Sequence, residues 1–113
     1  ARATTIYHQL TNEEARCLTH NLINHEVTAL LNRKVSRLAA VEFGDKFFIK
    51  RDLAVVWSSE LIERAAWQIY RASSDQTLSL IDCVSFVVMK ELGISRAFSF
   101  DRHFRDFGFT LLV

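Results

Sequence analysis

Apolar positions recur along the chain at two spacings, and these divide it into helices and strands. Ala3, Ile6, Tyr7 and Leu10 stand at i, i+3, i+4 and i+7, the stripe of an amphipathic helix over residues 2–10. A polar turn at 11–14 precedes a short strand at 16–19. Leu22, Ile23, Val27, Leu30 and Leu31 predict a helix from Asn21 to about Lys34. Leu38, Ala39, Phe43, Phe47 and Phe48 predict a second, from Ser36 to about Lys50. The run Leu53-Ala54-Val55-Val56-Trp57 is apolar throughout and β-branched in part, which predicts a buried parallel strand. Ser58 or Ser59 then caps a helix that continues through Ala65, Ala66, Ile69 and Tyr70. Glu60 and Glu63 lie in its first turn, where the helix dipole favours acidic groups.

A further helix runs from Ser79 to about Leu92 and stops at Gly93. Leu80, Ile81, Cys83, Val84, Phe86, Val87, Val88 and Met89 make it apolar nearly all round, so it is expected to be buried. Residues 97–100 and 109–112 predict strands, separated by a single helical turn at 102–106. Strands that alternate with helices imply the α/β class, a parallel sheet flanked by helices. Ligands on such sheets lie beyond the C-terminal strand ends.

Composition narrows this picture. With 113 residues, half of them hydrophobic, the chain has the length of one domain and too much apolar surface for a disordered segment. The absence of proline and the presence of only three glycines argue against a hairpin-rich β-sandwich. Fourteen Lys and Arg against thirteen Asp and Glu give a net charge of +1, which excludes a surface-wide polyanion trap but not a local basic patch. Cys17 and Cys83 form no CxxC pair and are expected to be buried, reduced thiols of a cytoplasmic protein. No uncharged run approaches a membrane-spanning length, and the start does not read as a signal peptide. The helical pattern is already under way at Arg2, so a segment before Ala1 is expected to be missing.

Three carboxylates stand where a parallel sheet would present them. Asp101 follows the strand at 97–100, Asp82 lies in the first turn of the apolar helix, and Glu26 lies in the helix after the first strand. Each also has a plainer role. Asp101 can N-cap the turn at 102–106, and Asp82 completes a capping box with Ser79. Glu26 can be a solvated helix residue. Carboxylates that cluster repel one another unless a hard cation binds between them, and Mg²⁺ and Mn²⁺ select oxygen ligands. Such a site suits phosphoryl chemistry. His25-Glu26 does not extend to the HExxH zinc motif, because position 29 is alanine. His20 and His25, five apart, do not share a helix face. His103 is expected to pack or cap. Arg33, Lys34 and Arg37 complement a helix C-terminus or contact phosphate.

The segment Ser79-Leu80-Ile81-Asp82-Cys83-Val84-Ser85-Phe86, with Met89 and Gly93-Ile94, resembles the third-acidic-residue helix of PIN domains. The segment Ala97-Phe98-Ser99-Phe100-Asp101-Arg102-His103-Phe104, with Gly108-Phe109, resembles their fourth acidic segment, in the VapC-like branch. His25-Glu26-Val27 falls where the family carries its helix Glu, and Asn21 also fits. Ile81 and Thr77 depart from the pattern, where Thr and Asp are common.

The resemblance implies a metal-dependent endoribonuclease, the toxin of a toxin–antitoxin pair. Glu26, Asp82 and Asp101 would be its catalytic Mg²⁺ or Mn²⁺ ligands, with Asn21, Arg33 and Lys34 near the RNA. A cognate antitoxin and a homodimer are the expected partners. The family opens with a strand ending in its first catalytic Asp. No such segment stands before Ala1, so the expectation is a single PIN-like domain, 1–113, truncated at its N-terminus. The vacant strand position would be filled by a separate fragment, a neighbouring chain, or direct pairing of the strands at 16–19 and 97–100. The alternative is an inactive remnant that binds protein or RNA.

Overall fold

The computed structural model describes Thr5, Gln9 and residues 17–49, 53–99 and 101–112. Thr5 and Gln9 are helical, and the rest of the helix expected at 2–10 lies outside the described residues. Two compact units emerge: Arg16–Ser58, and Ser59–Val113 together with the N-terminal residues.

In the first unit, β1 (Cys17–His20) pairs in parallel with β2 (Leu53–Val56), Cys17 opposite Leu53 and His20 opposite Val56. Between them run α1 (Asn21–Lys34) and α2 (Arg37–Ile49), which pack on one another. Ser36 Oγ accepts the Ala39 N–H at 3.0 Å and so starts α2. Phe47 is buried against Phe43 and Phe48, and Phe48 stacks on Trp57 at 6.4 Å. The expected buried strand is corrected in two respects. β2 is only half-buried, with Ala54 exposed, because its one strand partner among the described residues is β1. It also ends at Val56, leaving Trp57 outside it and exposed. Cys17 is likewise only half-buried, whereas Cys83 is buried; both are free thiols.

The second unit begins with α3 (Glu60–Ala72), where Ser59 Oγ accepts the Ile62 N–H. Next comes α4 (Leu80–Glu91), buried continuously from Cys83 to Met89 as its all-round apolar character predicts. It ends in a Schellman turn: Gly93, at φ +67°, donates to Lys90 O, and Ile94 donates to Met89 O at 2.8 Å. The short α5 (Arg102–Asp106) ends the same way, with Gly108 at φ +104° donating to Arg105 O and Phe109 to Phe104 O.

Each turn releases the chain into a strand. β3 (Arg96–Ala97) and β4 (Thr110–Leu111) pair in parallel, Arg96 opposite Thr110. Both are shorter than the spans 97–100 and 109–112. Ser99 Oγ accepts the Asp101 N–H, so the backbone leaves the ladder to enter α5; Phe100 lies outside the described residues. Phe86, Met89, Ala97 and Phe109 form the core of this unit, with Ile94, Phe104 and Phe107 packed against it. The strand pairs among the described residues are thus β1–β2 and β3–β4, both parallel and both interleaved with helices.

Candidate metal centre

Two helix starts position the acidic groups. At α4, Ser79 Oγ accepts the Asp82 N–H at 3.1 Å, and Asp82 Oδ2 accepts the Ser79 N–H at 3.3 Å, a complete capping box. At α5, Asp101 is the N-cap and its Oδ1 accepts the His103 N–H at 2.9 Å. The plainer expectation, that both residues cap helices, is therefore met. The two caps also converge: ligand atoms of Asp82, Asp101 and His103 all lie within 4.8 Å of one another. Capping uses one oxygen of each carboxylate. Among the described residues, Asp82 Oδ1 and Asp101 Oδ2 take no hydrogen bond.

His103 is packed, as expected, and takes part in the cap through its N–H and its ring. Its side chain is 11% exposed and held between two carboxylates. Nδ1 lies 2.5 Å from Asp101 Oδ1, and Nε2 lies 3.1 Å from Asp75 Oδ2 and 2.8 Å from Thr77 Oγ1. Burial pulls the imidazole pKa down, but the Asp101 hydrogen bond and the charges of Asp101 and Asp75 outweigh it, and the net shift is upward. Asp75 closes an Asx turn, its Oδ1 accepting from the Thr77 N–H at 2.9 Å and the Thr77 hydroxyl at 2.6 Å. Those two hydrogen bonds hold the Asp75 carboxyl below its ordinary range, helped by the charges of His103 and Arg102. Arg102 Nη1 reaches Asp106 at 2.8 Å, and its Nη2 lies 3.7 Å from Asp75. Burial, and then the neighbouring Asp82 charge, push the Cys83 thiol up.

The other sequence candidates lie in the first unit. Glu26 is exposed on α1, and Arg33 and Lys34 are exposed in its last turn. Asn21 has a structural partner, since its Oδ1 accepts the Ser58 N–H at 2.7 Å and ties the end of β1 to the residues after β2. Asp75 went unnoticed in the sequence. The signal available there was its Asp-x-Thr spacing, the pattern of an Asx turn. Thr77, noted only as a departure from a pattern, bonds to both Asp75 and His103.

The second unit thus brings two aspartates together beside a histidine, next to a parallel strand pair. The chain matches the PIN domain over residues 2–110 and belongs to that family. It is 30% identical over 93 residues to VapC20 of Mycobacterium tuberculosis, described as a 23S rRNA-specific endonuclease, in strains CDC 1551 and H37Rv. That match covers 82% of this chain and 70% of VapC20. The crystal structure of VapC20, described as a Sarcin-Ricin loop cleaving toxin, superposes with a TM-score of 0.82 at 26% identity. It covers 97% of this chain and 85% of VapC20, and so bears out the PIN fold expected from the sequence. No helix among the described residues is long and apolar enough to cross a membrane.

Proposed function

We propose that this chain is a divalent-metal-dependent endoribonuclease of the VapC toxin type, acting on structured ribosomal RNA. The convergence of Asp82 and Asp101, each with one oxygen not engaged in capping, carries the reading. The donor set fits a small hard cation, which takes one or two carboxylates and keeps the rest of its shell as water. Asp82 and Asp101 would hold it. When bound, Mg²⁺ or Mn²⁺ supplies a Lewis acid that makes water nucleophilic and offsets phosphate charge.

The protein's own residues have separate tasks. The capping bonds of Asp82 and Asp101 fix where their carboxylates point before any ligand arrives, which reduces the reorganisation needed on binding. Arg33, Lys34 and Asn21 are assigned to the RNA backbone, where Lys and Arg contacts provide affinity without sequence selection. A cognate antitoxin, a second copy of the chain and a cytoplasmic site of action belong to the same reading, supported by the relationship to VapC20.

The test is cleavage of an RNA oligonucleotide carrying the sarcin–ricin loop sequence, in Mg²⁺ or Mn²⁺. Expected are a discrete cut, its loss in EDTA, and a background rate for Asp101→Asn. Binding of that RNA without cleavage in either metal would replace the enzyme by the inactive, RNA-binding form of the domain.

A further inference from the structure

We propose that His103 is a positioning residue of the metal centre: its Nδ1–H holds Oδ1 of Asp101 and leaves Oδ2 to the cation, while Thr77 and Asp75 steady the far side of the ring. This deepens the reading above and rests on it.

Oδ1 of Asp101 receives two donors from one residue, the backbone N–H of His103 at 2.9 Å and its ring Nδ1 at 2.5 Å. The carboxylate is thereby pinned against rotation, and its two oxygens become inequivalent. The short contact to the acceptor-only Asp101 carboxylate keeps a hydrogen on Nδ1 in either charge state. As an imidazolium, His103 donates from Nε2 to Asp75 Oδ2. As a neutral imidazole, it keeps its hydrogen on Nδ1, toward the nearer carboxylate (2.5 Å to Asp101 against 3.1 Å to Asp75), and Nε2 accepts from the Thr77 hydroxyl when that hydroxyl turns from Asp75. In both forms Nδ1 carries hydrogen and Nε2 faces the loop between α3 and α4. The ring nitrogen beside Asp101 then has no lone pair to offer a cation, so the ring acts through Asp101. The Asx turn of Asp75 and Thr77 fixes that loop, and the ring joins it to α5 across 28 positions of sequence. Outer partners of this kind orient ligands, and their loss typically weakens metal binding about 10–100-fold.

Mn²⁺ binding to the full chain, without RNA, tests this by electron paramagnetic resonance of the free ion. His103→Ala is expected to weaken affinity about tenfold. His103→Asn, whose amide nitrogen replaces Nδ1, is expected to recover most of that loss. Thr77→Val and Asp75→Asn, at accessible positions, are expected to give smaller losses in the same direction. They decide the matter if His103→Ala fails to melt cooperatively in EDTA. Unchanged affinity in the His103 and loop variants, with binding lost in Asp82→Ala, overturns the positioning role and leaves the metal centre standing. Unchanged affinity in Asp82→Ala overturns the metal centre itself. If His103→Asn binds as weakly as His103→Ala and the wild type prefers Zn²⁺ to Mn²⁺, the ring is a direct ligand, and the positioning role is again overturned.

Discussion

Replacing Phe86 by leucine tests whether the aromatic core beneath α5 supports the carboxylate site. Phe86 is 1% exposed. Its ring stacks on Phe107 at 4.5 Å and 11°, and meets Phe104 edge-on at 5.1 Å and 85°. Phe104 lies in α5 and Phe107 is its C-cap, so the ring braces the helix that Asp101 and His103 begin. Full truncation to alanine would cost about 3–5 kcal/mol. That is a large share of the net stability of a 113-residue chain, on the order of 10 kcal/mol. Leucine keeps most of the bulk but loses both ring contacts, each worth about 0.5–1.5 kcal/mol beyond area burial. The expected loss is about 2 kcal/mol, or about 8 °C in Tm for a chain of this size. Thermal melting followed by circular dichroism in EDTA measures it, and Mn²⁺ affinity at 20 °C reads the effect on α5. A fall in Tm of less than about 2 °C would show that these rings do not hold the unit together. A normal melting loss with unchanged Mn²⁺ affinity would show that α5 keeps its position without them.

The two roles of Asp82 separate by chemistry. Asp82→Asn keeps an oxygen for the Ser79 N–H, so it is expected to melt like the wild type in EDTA yet lose Mn²⁺ binding. Asp82→Ala also loses the bond to the Ser79 N–H, while Ser79 Oγ keeps the backbone N–H at 82, and is expected to drop by about 0.5–1.5 kcal/mol in urea unfolding. Equal unfolding free energies for the two variants would refute the capping role. Asp75 sets a pH dependence. Its folded pKa lies below the ordinary 3.8, so its stabilising contribution is present above that value and lost as pH falls through the folded one. The Tm advantage of wild type over Asp75→Asn is therefore expected at neutral pH and to vanish in acid; an advantage that grows toward acid would contradict this.

Elements governed by neighbouring residues were legible in the sequence. α1 spans Asn21–Lys34 as its apolar spacing predicts, and Ser79 and Gly93 mark the two ends of α4 through a capping box and a left-handed glycine. The strands were harder to bound. β3 stops at Ala97 because the Ser99 hydroxyl turns the backbone away, a competition that apolar content does not reveal. Trp57 read as a strand residue because it is apolar, yet it stacks on Phe48 outside the ladder. In the site, Asp82 and Asp101 could be named from local strings. The role of His103 could not, since it depends on Asp75, 28 positions earlier, and on a turn whose signature is ordinary in loops.

The carboxylate cluster has a short reach along the chain. Among the described residues, the hydrogen bonds that shape it join residues between Asp75 and His103, and the widest ring so closed is 28 positions. The entropy of closing a loop grows only with the logarithm of its length. The capping bonds, two or three positions long, rank among the quickest a chain can make, while the link from His103 to Asp75 is not local. The folding search therefore sets the direction of each carboxylate as a local event, and the link from His103 to Asp75 closes over α4, β3 and the start of α5.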